Sequence, residues 1–414
     1  MKFIEFTEEM KKTHKILIPN MLDIHFRILE KILTSYGYDV ELLTNTDSSV
    51  IEEGLKYIHN DMCYPALLTA GQMIAALKSG KYDLSKVALI MSQTGGGCRA
   101  SNYIHLIRKA LINMGYDDVP VISFSTSSME KHSGFKIDLS IMRRLIAAFV
   151  YGDLLMLLSN QLRPYENTKG ETDTLVSKWI DDVATMFEND KGYTPKDLKK
   201  HLPTIVKEFS EVPITKVPKV KVGIVGEIYV KYAPLANNDL EKFLATQDCE
   251  VMVPGVLGFA LYCIDVGVVD HALYGGTFGE KFKSKFAYNY LEKFETIFLD
   301  SLKGSKFTIP SPFKHLKELV EPVIGHGCKM GEGWFLTAEI MELCEHGYEN
   351  VICTQPFGCL PNHIVGKGMI RKLVGLNPKA NIVPIDYDPG ATKVNQENRI
   401  KLMLAVAKEN MENA

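Results

Sequence analysis

Val351-Ile352-Cys353-Thr354-Gln355-Pro356-Phe357-Gly358-Cys359-Leu360-Pro361-Asn362-His363 reads as a short apolar strand, a Gly/Pro turn and the start of a helix. Cys359 stands two residues ahead of Pro361, which fits the first helical turn because its missing N–H costs nothing there. The same order recurs in Asp61-Met62-Cys63-Tyr64-Pro65, which leads into the helical pattern Ala66–Leu77. It recurs again in Gly95-Gly96-Gly97-Cys98-Arg99, between the strand-like Val87–Met91 and a helix starting near Ser101. Three cysteines thus occupy strand-to-helix loops just ahead of helix N-termini, where the dipole and unpaired N–H groups favour thiolate over thiol. Soft thiolates hold iron well, and three of them leave one iron of a cluster open to substrate, solvent or another ligand. The pattern predicts that Cys63, Cys98 and Cys359 converge on one iron–sulfur cluster. Cys328, in a glycine loop before a helix, and Cys353, at a strand end six residues before Cys359, are second candidates for the same crevice.

Outward from these loops the chain alternates strands and helices. Lys15–Pro19, Val40–Leu43, Val87–Met91 and Val119–Ser123 read as strands, with helices over Leu22–Ser35, Asn102–Met114 and Ile141–Leu158. Residues 166–218 are charged and helical, with apolar stripes over Thr174–Phe187 and Pro195–Phe209 and a Pro-spaced end. A second α/β unit starts at the buried-strand pattern Val220–Val225. It continues through strands at Glu250–Pro254, Asn350–Cys353 and Asn381–Ile385, and helices at Asp239–Ala245, Phe282–Leu302, Trp334–Cys344, His363–Leu373 and Asn395–Glu409. The aromatics of Phe282–Leu302 fall at helical spacing and read as core. Such alternation predicts parallel sheets covered on both faces, organised as 1–165, a helical bridge 166–218, and 219–414. Ligand crevices in such sheets lie beyond the carboxyl ends of the strands, where Cys63 and Cys98 would fall.

The 414 residues are 46% hydrophobic and 23% charged with a net charge of −3, a globular composition without the basic footprint of nucleic-acid or anionic-membrane binding. No targeting segment is visible, and neither Leu145–Tyr151 nor Val251–Ile264 reaches the uninterrupted apolar length of about 18 residues that a span needs, so a cytoplasmic protein is expected. Eight cysteines without a C-x-x-C argue against both a disulfide framework and a zinc ribbon. Cys249, Cys263 and Cys344 read as core residues.

Gly325–Gly333 and Gly95–Gly97 match no nucleotide-binding pattern, so no nucleotide site is expected. Close backbone approach to a cluster or to an acyl-CoA thioester explains the glycines, and makes Gly96, Gly97, Arg99, Gly331 and Gly333 candidate cofactor contacts. Glu332 and His363 are candidate catalytic proton carriers, with His326 nearby.

The strings Asn60-Asp61-Met62-Cys63-Tyr64-Pro65-Ala66, Gln93-Thr94-Gly95-Gly96-Gly97-Cys98-Arg99-Ala100-Ser101-Asn102-Tyr103, Gly331-Glu332-Gly333-Trp334 and Gln355-Pro356-Phe357-Gly358-Cys359-Leu360-Pro361-Asn362-His363 resemble the CoA-substrate-specific enzyme activase-related family. These are the cluster-binding portions of the 2-hydroxyacyl-CoA dehydratase group. The resemblance implies flavodoxin-like or Rossmann-like lobes around a 4Fe-4S cluster held by three cysteines. It implies as partner an ATP-hydrolysing iron–sulfur activator, separate or fused, that injects low-potential electrons for radical dehydration of an acyl-CoA substrate. A related branch carries a double-cubane 8Fe-9S cluster and reduces small molecules. A homodimer is implied, with neither nucleic acid nor membrane as partner. The ATPase half of the large fused members is not expected in these residues, so a partner is expected to supply ATP-driven reduction. Two other classes compete: a scaffold that docks an ATPase or acyl-CoA enzyme through structural cysteines, and a CoA-ester enzyme without metal.

Overall fold

The computed structural model describes residues 3–59, 61–93, 96–125 and 130–413. Asn60, ahead of Cys63, and Thr94 and Gly95, ahead of Cys98, lie outside the described residues. Eight described strands form two four-stranded, all-parallel sheets. The first joins β1 (Lys15–Pro19), β2 (Asp39–Leu43), β3 (Val87–Ser92) and β4 (Val121–Phe124) in the order β2-β1-β3-β4. The second joins β5 (Val220–Gly226), β6 (Cys249–Met252), β7 (Asn350–Pro356) and β8 (Asn381–Tyr387) in the order β6-β5-β7-β8. Strands such as Val87–Met91 and Val222–Val225 are buried residue after residue because helices cover both faces. This is the α/β architecture of two Rossmann- or flavodoxin-like units.

The two sheets share one topology, and each reverses its strand order between its first and third strands. Such a reversal opens a crevice at the carboxyl ends of those strands. Cys98 follows β3 and Cys359 follows β7, so they hold equivalent places in the two units.

A helical layer joins the units. Residues 166–218 contribute the helices Glu171–Glu188 and Pro195–Glu211, which pack with Leu139–Leu162 and Phe278–Leu302 around Leu154, Leu158, Ile180, Phe209 and Phe294. Asp153 crosses between the units. Its buried carboxylate takes a hydrogen bond from His25 Nε2 (2.8 Å) and accepts the N–H groups of Val256 and Leu257 (2.8 Å each), the otherwise unpaired first turn of the next helix.

The helix Ser48–Tyr57 has no counterpart in the sequence expectation, and three further elements differ from it. Val256–Tyr274 is one unbroken helix that starts after Gly255, and by length and composition it is apolar enough to cross a membrane, with 33% of that window buried in the chain. Its Asp265 is paired with Lys317 Nζ at 2.9 and 2.8 Å. The helix Phe278–Leu302 is core only in its second half; Phe278, Phe282 and Phe286 are exposed, because its first turns project past the layer they would pack against. The helix after Cys359 is split into Leu360–Val365 and Ile370–Leu376, since the backbone turns at Gly366.

Candidate metal centre

Each of the three loop cysteines is the residue on which its helix begins. Cys63 precedes Tyr64–Lys78, Cys98 precedes the 3₁₀ turn Arg99–Asn102 that runs into Tyr103–Met114, and Cys359 precedes Leu360–Val365. Cys63 and Cys359 are buried and Cys98 is half-buried, in loops that the fold ties together. Tyr64 N–H donates to the Phe357 carbonyl at 3.0 Å, and Arg99 donates to the Asp61 carbonyl at 2.6 Å. Gly358 adopts φ +77°, and a Cβ there would stand 3.1 Å from Cys63 Cα, so only glycine lets the Cys359 and Cys63 loops meet. A Cβ on Gly97 would strike Met330 of the glycine-rich loop, and Gly331 faces the Pro361 ring. Four loops therefore close on one place: those of Cys98 and Cys359 follow strands of the two sheets, whereas Cys63, expected in a strand-to-helix loop, follows the helix Ser48–Tyr57, and Met330 also lies between two helices.

The thiols feel one another there. Cys63 acts electrostatically on Cys98, and Cys98 acts on Cys359; the Glu227–Glu332 pair acts on both Cys98 and Cys359. Burial pushes the Cys98 thiol up to about 11, and it raises Cys63 and Cys359 too. The N–H groups of Ala66, Ala100 and Asn362 pull each thiol the other way, as helix N-termini should. Position at a helix start was expected to favour thiolate; desolvation and two nearby carboxyls outweigh it in the protein alone. Cys63 Sγ shares a 2.7 Å hydrogen bond with the buried Tyr103 hydroxyl.

Two carboxyls stand beside the cysteines, Glu332 buried and Glu227 half-buried. Glu332 Oε1 accepts the Ile228 N–H at 3.0 Å and Oε2 accepts Asn362 Nδ2 at 3.3 Å. Glu227 Oε2 accepts the Val230 N–H at 2.9 Å. Burial, with repulsion from Glu332, drives Glu227 up to about 8, and burial raises Glu332 as well. Among the described residues the Tyr229 hydroxyl and Gln355 Oε1 are buried without a partner.

The remaining candidates are spread around this centre. Cys353 is fully buried in β7, accepts from Gln355 Nε2 at 3.0 Å, and feels Glu339, Glu332 and Asp386 rather than the three loop thiols. Cys328 is partly exposed, and its carbonyl accepts the Trp334 N–H at 2.8 Å. Gly96 and Arg99 lie on the rim; Gly333 sits in the left-handed region against Tyr262 and the Cys328 carbonyl. His363 is half-buried without a side-chain hydrogen bond among the described residues, and His326 is held by the Lys317 carbonyl (3.0 Å) and the Trp334 ring. Cys249 is in the core as expected, whereas Cys263 is exposed on the Val256–Tyr274 helix. Desolvation and repulsion from Glu332 still push its thiol up to about 12. Sequence reasoning missed Glu227 and Tyr103. An acid at the carboxyl end of a sheet's first strand was the available signal for Glu227.

Among the described residues no three His, Cys, Asp or Glu groups stand close enough to hold a single metal ion. A cluster spreads its thiolates over different irons, and three soft donors with little competition from oxygen or imidazole suit it. No family model matches the chain, and no curated protein does.

Proposed function

We propose that this chain is an iron–sulfur protein of the 2-hydroxyacyl-CoA dehydratase-like group, in which Cys63, Cys98 and Cys359 hold a 4Fe-4S cluster. The observation that carries this is the meeting of three thiols, each at the start of a helix, in one electrostatically linked site with the carboxyls of Glu227 and Glu332. When bound, the cluster would supply one-electron chemistry, with reducing power from an ATP-hydrolysing activator protein. The chain's own residues would do the rest. Glu227 and Glu332 hold a proton next to the thiols, Tyr103 anchors Cys63, and the packed loops keep water from most of the site. Glycines at the rim leave room for an acyl-CoA substrate, whose dehydration or reduction is the reaction proposed. A single cubane is favoured over the double-cubane 8Fe-9S alternative, because the Cys353 sulfur is engaged by Gln355 and Cys328 shares no described interaction with the three thiols. The reducing cytoplasm suits such a protein, and all eight cysteines are unpaired.

Anaerobic reconstitution with iron and sulfide, then metal analysis and electron paramagnetic resonance, tests this. About four irons per chain and a spectrum on reduction are expected. A colourless, iron-free protein would leave the scaffold class standing instead.

A further inference from the structure

The helix Gly333–Glu345 carries acids along one face that the cysteine site does not account for. Glu332 precedes its first residue, Glu339 and Glu342 come next, and His346 ends the series. Steps of seven, three and four residues bring all four groups to one side of a helix. Acids on such a face usually meet water; here Glu332, Glu339 and Glu342 are 7%, 1% and 7% exposed, and only His346 reaches solvent.

Against this face lies a cavity of about 90 Å³, bordered by Asp153, Glu295, Ser311, Glu339, Glu342 and His346. That is room for several waters, and although most of the wall is apolar, Glu295, Glu339, Glu342 and His346 give such water polar partners. Glu342 Oε1 accepts the Ser311 N–H and Glu295 Oε1 accepts the Phe313 N–H, both at 2.7 Å. Among the described residues no group donates to the second oxygen of either. At the outer end, His346 Nε2 lies 4.0 Å from Glu342 Oε1 and 3.0 Å from Ser311 Oγ. At the inner end, Lys231 Nζ reaches both Glu339 oxygens (2.9 and 3.3 Å), and its charge also acts on Glu332 and Glu227.

We propose that this face is a proton path, leading from His346 at the surface through Glu342, the cavity water and the Glu339–Lys231 pair to Glu332 beside the cysteines. The proposal rests on the cysteine site being a redox centre. When a low-potential one-electron donor protein delivers an electron there, one proton moves inward and keeps the buried charge balanced. His346 takes it from water, each carrier passes one on as it receives one, and the last rests on Glu332; only O–H and N–H bonds form and break. Burial holds Glu342 at about 8 and Glu295 at about 7, and it raises Glu339. The other charged groups facing the path are Asp153 with His25, Glu292, and His315 with Glu345 at the outer end. Asp153 is committed to three hydrogen bonds and is not a carrier.

Glu342→Gln keeps an acceptor for the Ser311 N–H but cannot carry a proton. The full chain, reconstituted anaerobically, is reduced by dithionite in stopped flow across neutral pH, in water and in deuterium oxide. The variant should match the parent in iron content, resonance spectrum and midpoint potential, because a path alters rate and not endpoint. Its proton-coupled reduction should slow about tenfold or more and lose its solvent isotope effect. Equal rates and isotope effects in a cluster-bearing variant overturn the path and leave the centre standing. A parent that binds no iron removes both. If Glu342→Gln does not fold, Glu295→Gln and His346→Gln read the cavity and the entrance, and unchanged kinetics in both overturn the proposal.

Discussion

The two sheets are built alike and put to different uses. In each, a cysteine comes after the third strand and caps the next helix. The N-terminal unit adds a second thiol, Cys63, and places Asn20 directly after its first strand. The C-terminal unit adds no second thiol to the trio; Glu227 comes after its first strand, Glu332 belongs to its glycine-rich loop, and Lys231 with Glu339 stands behind them. One unit thus brings two of the three thiols, and the other brings most of the acid–base side chains around them. What separates them is not topology but the polarity of a few loop residues at matching crevices.

The strongest challenge to that division is removal of a thiol from either side. Cys359→Ala and Cys98→Ala should each take anaerobically bound iron from about four per chain to near none, measured by metal analysis. If only one side matters, the two units do not share a centre. Next comes the tie between them. Asp153→Ala leaves two helix N–H groups and His25 without their buried partner, and should cost about 3–5 kcal/mol in urea unfolding. An effect under about 1 kcal/mol would mean that the units are held together elsewhere. Gly358→Ala forces a side chain into the left-handed region and against Cys63, for a loss of about 1–3 kcal/mol and weaker iron retention.

A pH series sharpens the contrast further. Glu342 and Glu295 have a reference near 4.5 when free, but keep their protons to about 8 and 7 when folded. Folding therefore takes up protons between those limits, so stability is greatest on the acid side of the window and falls as pH rises through it. The slope is at most about 1.4 kcal/mol per pH unit for each carboxyl, and Glu342→Gln should flatten it. The smallest effect is expected at the rim: Arg99→Lys loses one partly exposed hydrogen bond to the Asp61 carbonyl, about 1 kcal/mol, with iron content unchanged.

Much of the fold was legible because buried parallel strands are written as short β-branched runs between Gly and Pro. Lys15–Pro19 came out as expected, and most other strands shifted by only a residue or two. The helix Val256–Tyr274 was not legible, since it is apolar on nearly every side and has no 3.6-residue rhythm to detect. Ser48–Tyr57 went unread for a different reason, its pattern lying hidden among polar residues. The three cysteines announced themselves by a repeated local context. Glu227 did not, because an acid at a helix start is commonplace; its burial depends on loops more than a hundred residues away. The exposed Phe278, Phe282 and Phe286 show the converse, a core-like spacing that reaches past any neighbour.

The Asp153 carboxylate has a consequence for anyone who would dissect this polypeptide. A fragment comprising only 166–414 would begin its longest apolar helix with bare amides, and a fragment ending at 165 would keep a buried carboxyl with only His25 as its partner. Each piece would be incomplete in a way that only the other remedies. The halves are expected to recover their shape when expressed together, and to clump when made alone.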